Sequence, residues 1–116
     1  MTTDKTGAPT TVTQRARMFT IAVDDATGPS AGLTTFAEHD GRRIFLHTEV
    51  KPQYEGRGLA GILVAAALTA TRADGLRAVA VCPMVAAYVA KHHDFDDIVD
   101  PVTPEIDEWL TAQRRR

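Results

Sequence analysis

Cysteine occurs once in the 116 residues, at Cys82, so no disulfide can form within the chain. Histidine occurs four times without ligand spacing. His92 and His93 are adjacent and point in different directions on a helix, while His39 and His47 lie on earlier segments, so no structural metal cluster is expected. A net charge of −2 gives no electrostatic case for a nucleic-acid partner, and the basic Arg114–Arg116 tail reads as a solvated end. No apolar run approaches the ~20 residues of a membrane span, so no membrane partner is expected. Nothing near Met1 has the charged start and apolar core of a signal peptide, which makes the cytoplasm the expected location. Gly-Lys-Ser/Thr is missing, which excludes a phosphate-loop NTPase.

What is present is ordinary for a globular chain: 44% hydrophobic and 24% charged residues. Residues 1–14 are Thr-rich and polar and read as a disordered lead-in; residues 15–116 read as a single domain, a monomer or weak dimer. Arg17–Val23, Ala31–Glu38 and Arg43–Val50 have strand character. Turn clusters separate them at Asp24–Ser30 and His39–Gly41. Alternation in the third strand puts Ile44, Leu46, Thr48 and Val50 on one face, and Phe45, His47 and Glu49 on the other. Leu59 to about Ala73 is helical and apolar on most sides, with a stripe of Leu59, Ile62, Leu63, Ala66 and Ala70 widened by Val64 and Leu68. Arg77–Cys82 is a short apolar strand. A helix from Met84 to about His92, a short strand within Asp94–Val99 and a helix over Pro104–Gln113 follow. The fold class is α/β, with a mostly antiparallel sheet flanked by helices.

The stretch VKPQYEGRGLAG, Val50–Gly61, raises a question of hydrogen bonding. A helix normally begins with Ser, Thr, Asp or Asn, whose side chain accepts from its first free amides. Here Gly56, Arg57 and Gly58 precede Leu59, so no such cap exists. Phosphate is one natural acceptor, because glycines allow close backbone approach and the helix dipole favours an anion; water is the other. GRGLAG also spells the dinucleotide fingerprint, but Lys51–Glu55 intervene after the strand, and the next strand ends in Val81-Cys82-Pro83 without an acid.

Val50–Ala60 resembles the acyl-CoA loop of the GNAT superfamily, the general-control-type N-acetyltransferases, whose pattern is roughly V-x-P-x-Y-R-G-x-G-I-A/G. His47-Thr48-Glu49-Val50 before the loop, and Cys82-Pro83 followed by Tyr88 after it, resemble the short single-domain branch. The resemblance spans about Arg17 to Val99. It implies the acyl-CoA N-acyltransferase fold and transfer of an acetyl group from acetyl-CoA to an amine, on a small molecule or a protein. It also implies pyrophosphate on the amides of Gly56, Arg57, Gly58, Leu59 and Ala60, and a pantetheine arm along Thr48, Glu49 and Val50. A non-catalytic acyl-CoA-binding regulatory module is the alternative. Glu55 departs from the family's Arg or Gln; side chains there are expected to point outward, with Arg57 offsetting the charge. Larger members carry helices between their first two strands, whereas only Asp24–Ser30 join them here, which implies an open acceptor side.

Acetyl transfer requires an amine to lose a proton, a carbonyl oxygen to be stabilised and a thiolate to be protonated. Cys82 closes a strand just before a helix and is either an acyl-carrying nucleophile or a thiol lining the pantetheine channel. Tyr88 is either the acid for the thiolate or a packing residue; it stands seven residues before Phe95 rather than the family's five, with Asp94-Phe95 in place of Gly-Phe. Glu49 and His47 share a strand face and are either the base or simply solvated.

Overall fold

The structure, a computed structural model, describes residues 3–23 and 30–114. The turn read at Asp24–Ser30 lies outside these for residues 24–29. The strands are β1 (Thr10–Gln14), β2 (Met18–Val23), β3 (Gly32–His39), β4 (Arg42–Val50), β5 (Arg77–Ala80) and β6 (Val99–Asp100). The helices are α1 (Leu59–Ala73), α2 (Pro83–Lys91) and α3 (Pro104–Arg114). Single 3-10 turns lie at Pro52–Tyr54 and His93–Phe95. The six strands form one sheet in chain order. The pairs from β1 to β4 are antiparallel, and β4–β5 and β5–β6 are parallel, so the sheet is mixed.

The polar lead-in is not disordered where it reaches the sheet. Thr10–Gln14 pairs with β2 from Thr10↔Val23 to Gln14↔Phe19. Its lack of an apolar run suggested disorder, yet Thr and Val suit an edge strand with one wet side. The hairpin between β3 and β4 is tight because Asp40 and Gly41 both hold positive φ, 54° and 75°, as a two-residue turn matched to strand twist requires.

Strict alternation fails along β4. Thr35 pairs with His47 but Phe36 pairs with Phe45, so Leu46 is an extra residue. Such a bulge shifts the parity of everything beyond it. Ile44 and Leu46 pack with Val79, Ile106 and Leu110 under α3. Val50 instead joins the larger core beneath α1 and α2, and the Thr48 hydroxyl meets Cys82 in that same core. The single face expected for Ile44, Leu46, Thr48 and Val50 is therefore two. On α1 the buried residues are Leu59, Leu63, Val64, Ala67, Leu68 and Thr71, a stripe rotated from the expected one because Ile62, Ala66 and Ala70 stay at its rim.

One cation holds the two layers together. Arg43, 2% exposed, forks onto Glu38 Oε2 at 3.1 and 2.8 Å and reaches Asp74 Oδ2 at 2.9 Å. It donates to Thr71 Oγ1 at 3.3 Å, and its guanidinium lies 4.8 Å from the Phe36 ring centre and 5.5 Å from that of Phe19. The end of β3, the start of β4 and the C-terminus of α1 thus share one partner. Arg43→Ala removes both the stem and these bonds. It should cost roughly 3 kcal/mol or more in urea unfolding. Glu38→Gln should cost less than about 1 kcal/mol, because Glu38 is half exposed and readily hydrated.

Candidate active site

Beyond Val50 the chain makes the Pro52–Tyr54 turn and then two left-handed glycines, Gly56 at φ 81° and Gly58 at φ 79°. Gly58 is the N-cap of α1, and no side chain caps it. Nothing lies within 4 Å of where a Cβ on Gly56 would stand. The loop opens on a pocket of about 310 Å³ whose lining includes Val50, Glu55, Gly56, Gly58, Ala60 and Met84. A second pocket of about 290 Å³ shares Ala60 and Met84 and continues between α1 and α2 to Tyr88 and Lys91. Uncapped amides behind glycines with an open side are a cradle for an anion.

Beside this cradle the sheet splits. The β4–β5 pairing ends at Phe45↔Ala80, followed by one more bond from Cys82 N–H to Phe45 C=O at 2.8 Å. β4 runs on to Val50, whereas the other chain turns at Pro83 into α2. Cys82 stands at the fork. It is 2% exposed, and its thiol donates to Thr48 Oγ1 at 3.3 Å. The Thr48 hydroxyl is in turn 2.8 Å from that of Thr34.

A glycine cradle at a helix start thus lies beside a parallel pair that splays apart. The model of the GCN5-related N-acetyltransferase family matches residues 18–98. The chain belongs to that family. Its fold is also that of a GCN5-like candidate N-acetyltransferase from Staphylococcus aureus, solved by NMR in solution. That structure superposes with a TM-score of 0.62 at 20% identity, over 81% of this chain and 91% of the other. No curated protein sequence matches. The family transfers acetyl groups and generally uses acetyl-CoA. Among the described residues, no helix is long and apolar enough to cross a membrane, and no group of three or more His, Cys, Asp or Glu could hold a metal ion.

Within this acetyltransferase fold the candidate residues fall into three sets. Val50, Gly56, Gly58, Leu59 and Ala60 line the loop pocket together, although Leu59 is itself core. Thr48 and Cys82 meet at the fork. His47 and Glu49 meet each other, Nε2 to Oε2 at 3.2 Å, and are 64% and 62% exposed. Glu49 also lines a pocket of about 200 Å³ with Ser30, Gly32 and Lys51. Tyr88 stands apart on α2, its ring 4.5 Å from that of His92. Burial, and then the charge of Asp94, raise its pKa, so the phenol keeps its proton at neutral pH.

Arg57 does not offset Glu55. Its Nε donates to Asp4 Oδ2 at 2.6 Å and its guanidinium to Thr6 Oγ1 at 3.2 Å. Asp4 also accepts from the Thr6 and Ala8 amides at 2.8 and 3.0 Å, and Lys5 N–H donates to Arg57 C=O at 2.9 Å. Residues 3–9, closed by a Thr3↔Pro9 bridge, thus form a hook on the loop. Polarity alone hid it; the usable signal was Asp4-x-Thr6, a local Asx pairing.

The Thr6 side chain, helped by the Ala8 amide and Arg57, lowers the Asp4 pKa to about 2 against the opposing effect of burial. A depressed carboxyl stabilises at pH values above its unfolded pKa and loses that contribution as pH falls through the folded one. The Thr6 and Ala8 amide resonances should therefore stay native through pH 4 and collapse toward coil positions only near pH 2. Collapse already complete at pH 4 would show that Asp4 does not close the hook.

Proposed function

We propose that the protein moves an acetyl group from acetyl-CoA to an amine on a bulky acceptor such as a protein. The observation that carries this reading is the uncapped, glycine-hinged start of α1 lying beside the fork of β4 and β5. Acetyl-CoA, when bound, supplies the activated thioester. The amides from Gly56 to Ala60 would hold its pyrophosphate, and the edge of β4 from Thr48 to Val50 would take its pantetheine arm. The amine nitrogen would attack the thioester carbonyl and the C–S bond would break; the His47–Glu49 pair would take the amine proton, and Tyr88, on the pocket that continues from the loop, would protonate the departing sulfur. The exposure of His47 and Glu49 suits an acceptor too large to be enclosed. Detection of released CoA thiol with candidate amines tests the turnover; binding without release would make the chain an acyl-CoA-binding module instead.

Acetyl-CoA at about 100 times its dissociation constant should stabilise the fold by roughly 2.7 kcal/mol, on the order of 10 °C in melting temperature for a domain near this size. Gly58→Val should abolish most of that shift, since φ of 79° suits glycine alone and the added side chain would meet Lys5. A full shift in a folded Gly58→Val variant would remove the loop from the binding site.

Cys82 reads as a wall of the channel rather than a nucleophile, because its thiol is buried and already donates to Thr48. Cys82→Ala should then lose no more than about tenfold in turnover, against the 10²-fold or more of a lost acid or base. Intact-mass analysis after incubation with acetyl-CoA should show no acetyl adduct. An adduct at Cys82, with loss of turnover in the alanine variant, would establish the covalent route.

A further inference from the structure

The loop carries an unsolved charge problem. Glu55 lines its pocket, and the charge of Arg57 is turned onto the Asp4 carboxylate, which is itself buried. Glu55 stands beside the place where an anion would sit. The hook delivers another cation. Lys5 lays its stem across Gly58: the position of a Cβ there is 3.4 Å from Lys5 Cγ, 3.7 Å from Cδ and 3.3 Å from Cε. Its ammonium is one bond beyond Cε, on an exposed side chain whose stem lies against the N-cap of α1. Among the described residues it has no ion-pair partner.

We infer that Lys5 is a phosphate-binding residue of the cofactor site, and that the Asp4–Arg57 ion pair holds it there. This rests on the acetyl-CoA reading above and deepens it. The anion has three contributors from two parts of the chain: the backbone amides of the loop, the dipole of α1 and the side chain of a residue more than fifty positions upstream. Asp4 and Arg57 are positioning residues, because their pairing fixes the hook against the loop. The pairing also explains why residue 58 is glycine in a second way. Its open side is the bed on which the Lys5 stem lies, so any side chain there displaces the lysine as well as straining the backbone.

Calorimetric titration of the full chain tests this with CoA and with S-acetyl-pantetheine, which lacks the pyrophosphate. Lys5→Gln should weaken CoA binding by about tenfold, the scale of one lost charge-assisted bond, and leave S-acetyl-pantetheine affinity and the ligand-free melting temperature unchanged. Lys5→Arg should bind CoA nearly as the parent does. Asp4→Asn should weaken CoA in the same sense while Lys5 is present, and add little in the Lys5→Gln background. Unchanged CoA affinity in Lys5→Gln overturns the assignment. Tighter binding overturns it too, and makes the hook an obstruction. If the parent chain binds S-acetyl-pantetheine or CoA not at all, the acetyl-CoA reading fails first; if it binds both and Lys5→Gln is silent, only the lysine assignment fails.

Discussion

Arg43 is the constraint from which the site geometry follows. It ties the start of β4 to the C-terminal end of α1 through Asp74 and Thr71. Those two elements run from this shared anchor to opposite ends of one loop, Val50 on the strand side and Leu59 on the helix side. The loop therefore spans two fixed points, and Gly56 and Gly58 take left-handed angles within it. A guanidinium suits this task better than an ammonium. Its planar fork meets Glu38 twice and still stacks on Phe36 and Phe19. Both carboxylates are partly exposed, at 49% and 43%, so the buried charge is paired at the rim of the core rather than in its centre.

The second constraint is a single extra residue. Without the bulge at Leu46, period-two alternation would place Thr48 and Val50 with Ile44 beneath α3. With it, they turn toward Cys82 and the core of α1, and His47 and Glu49 turn the other way. One residue thus gives the fork two chemically different walls. One is buried and hydroxyl-lined, through Thr34, Thr48 and Cys82; the other is wet and ionisable, through His47 and Glu49.

Much of this was legible in the residues, and the exceptions share a cause. Apolar patterns located β2 to β5, α1 and α2 within a residue or two, and Pro104, Glu105 and the basic end located α3. The glycine loop was legible through an absence, the missing cap. What was not legible depends on pairing between distant segments. The bulge exists only in the register of β3 against β4. The buried role of Arg43 arises only when Glu38, Thr71 and Asp74 meet. The hook of residues 3–9 has no apolar signature, since its own polar contacts and those with Arg57 hold it. Composition predicts disorder for such a segment, and local hydrogen bonds from Asp4 override it.

The uncapped start of α1 breaks a local rule, and the break is informative. A missing Ser, Thr, Asp or Asn at this position forgoes about 1 kcal/mol of helix stability. The helix tolerates the loss because its core face and the Arg43 anchor hold it regardless of its first turn. A capping side chain would satisfy the first amides, but it would also fill the space before them. Gly58 leaves those amides at the edge of an open pocket, with the helix dipole behind them and no capping side chain on them. The chain thus keeps a few unmet hydrogen-bond donors in a fixed array, next to a strand edge that is unpaired for a related reason. Departures from local consistency are expected where function requires them. Here two of them, the bare helix start and the split sheet, lie side by side.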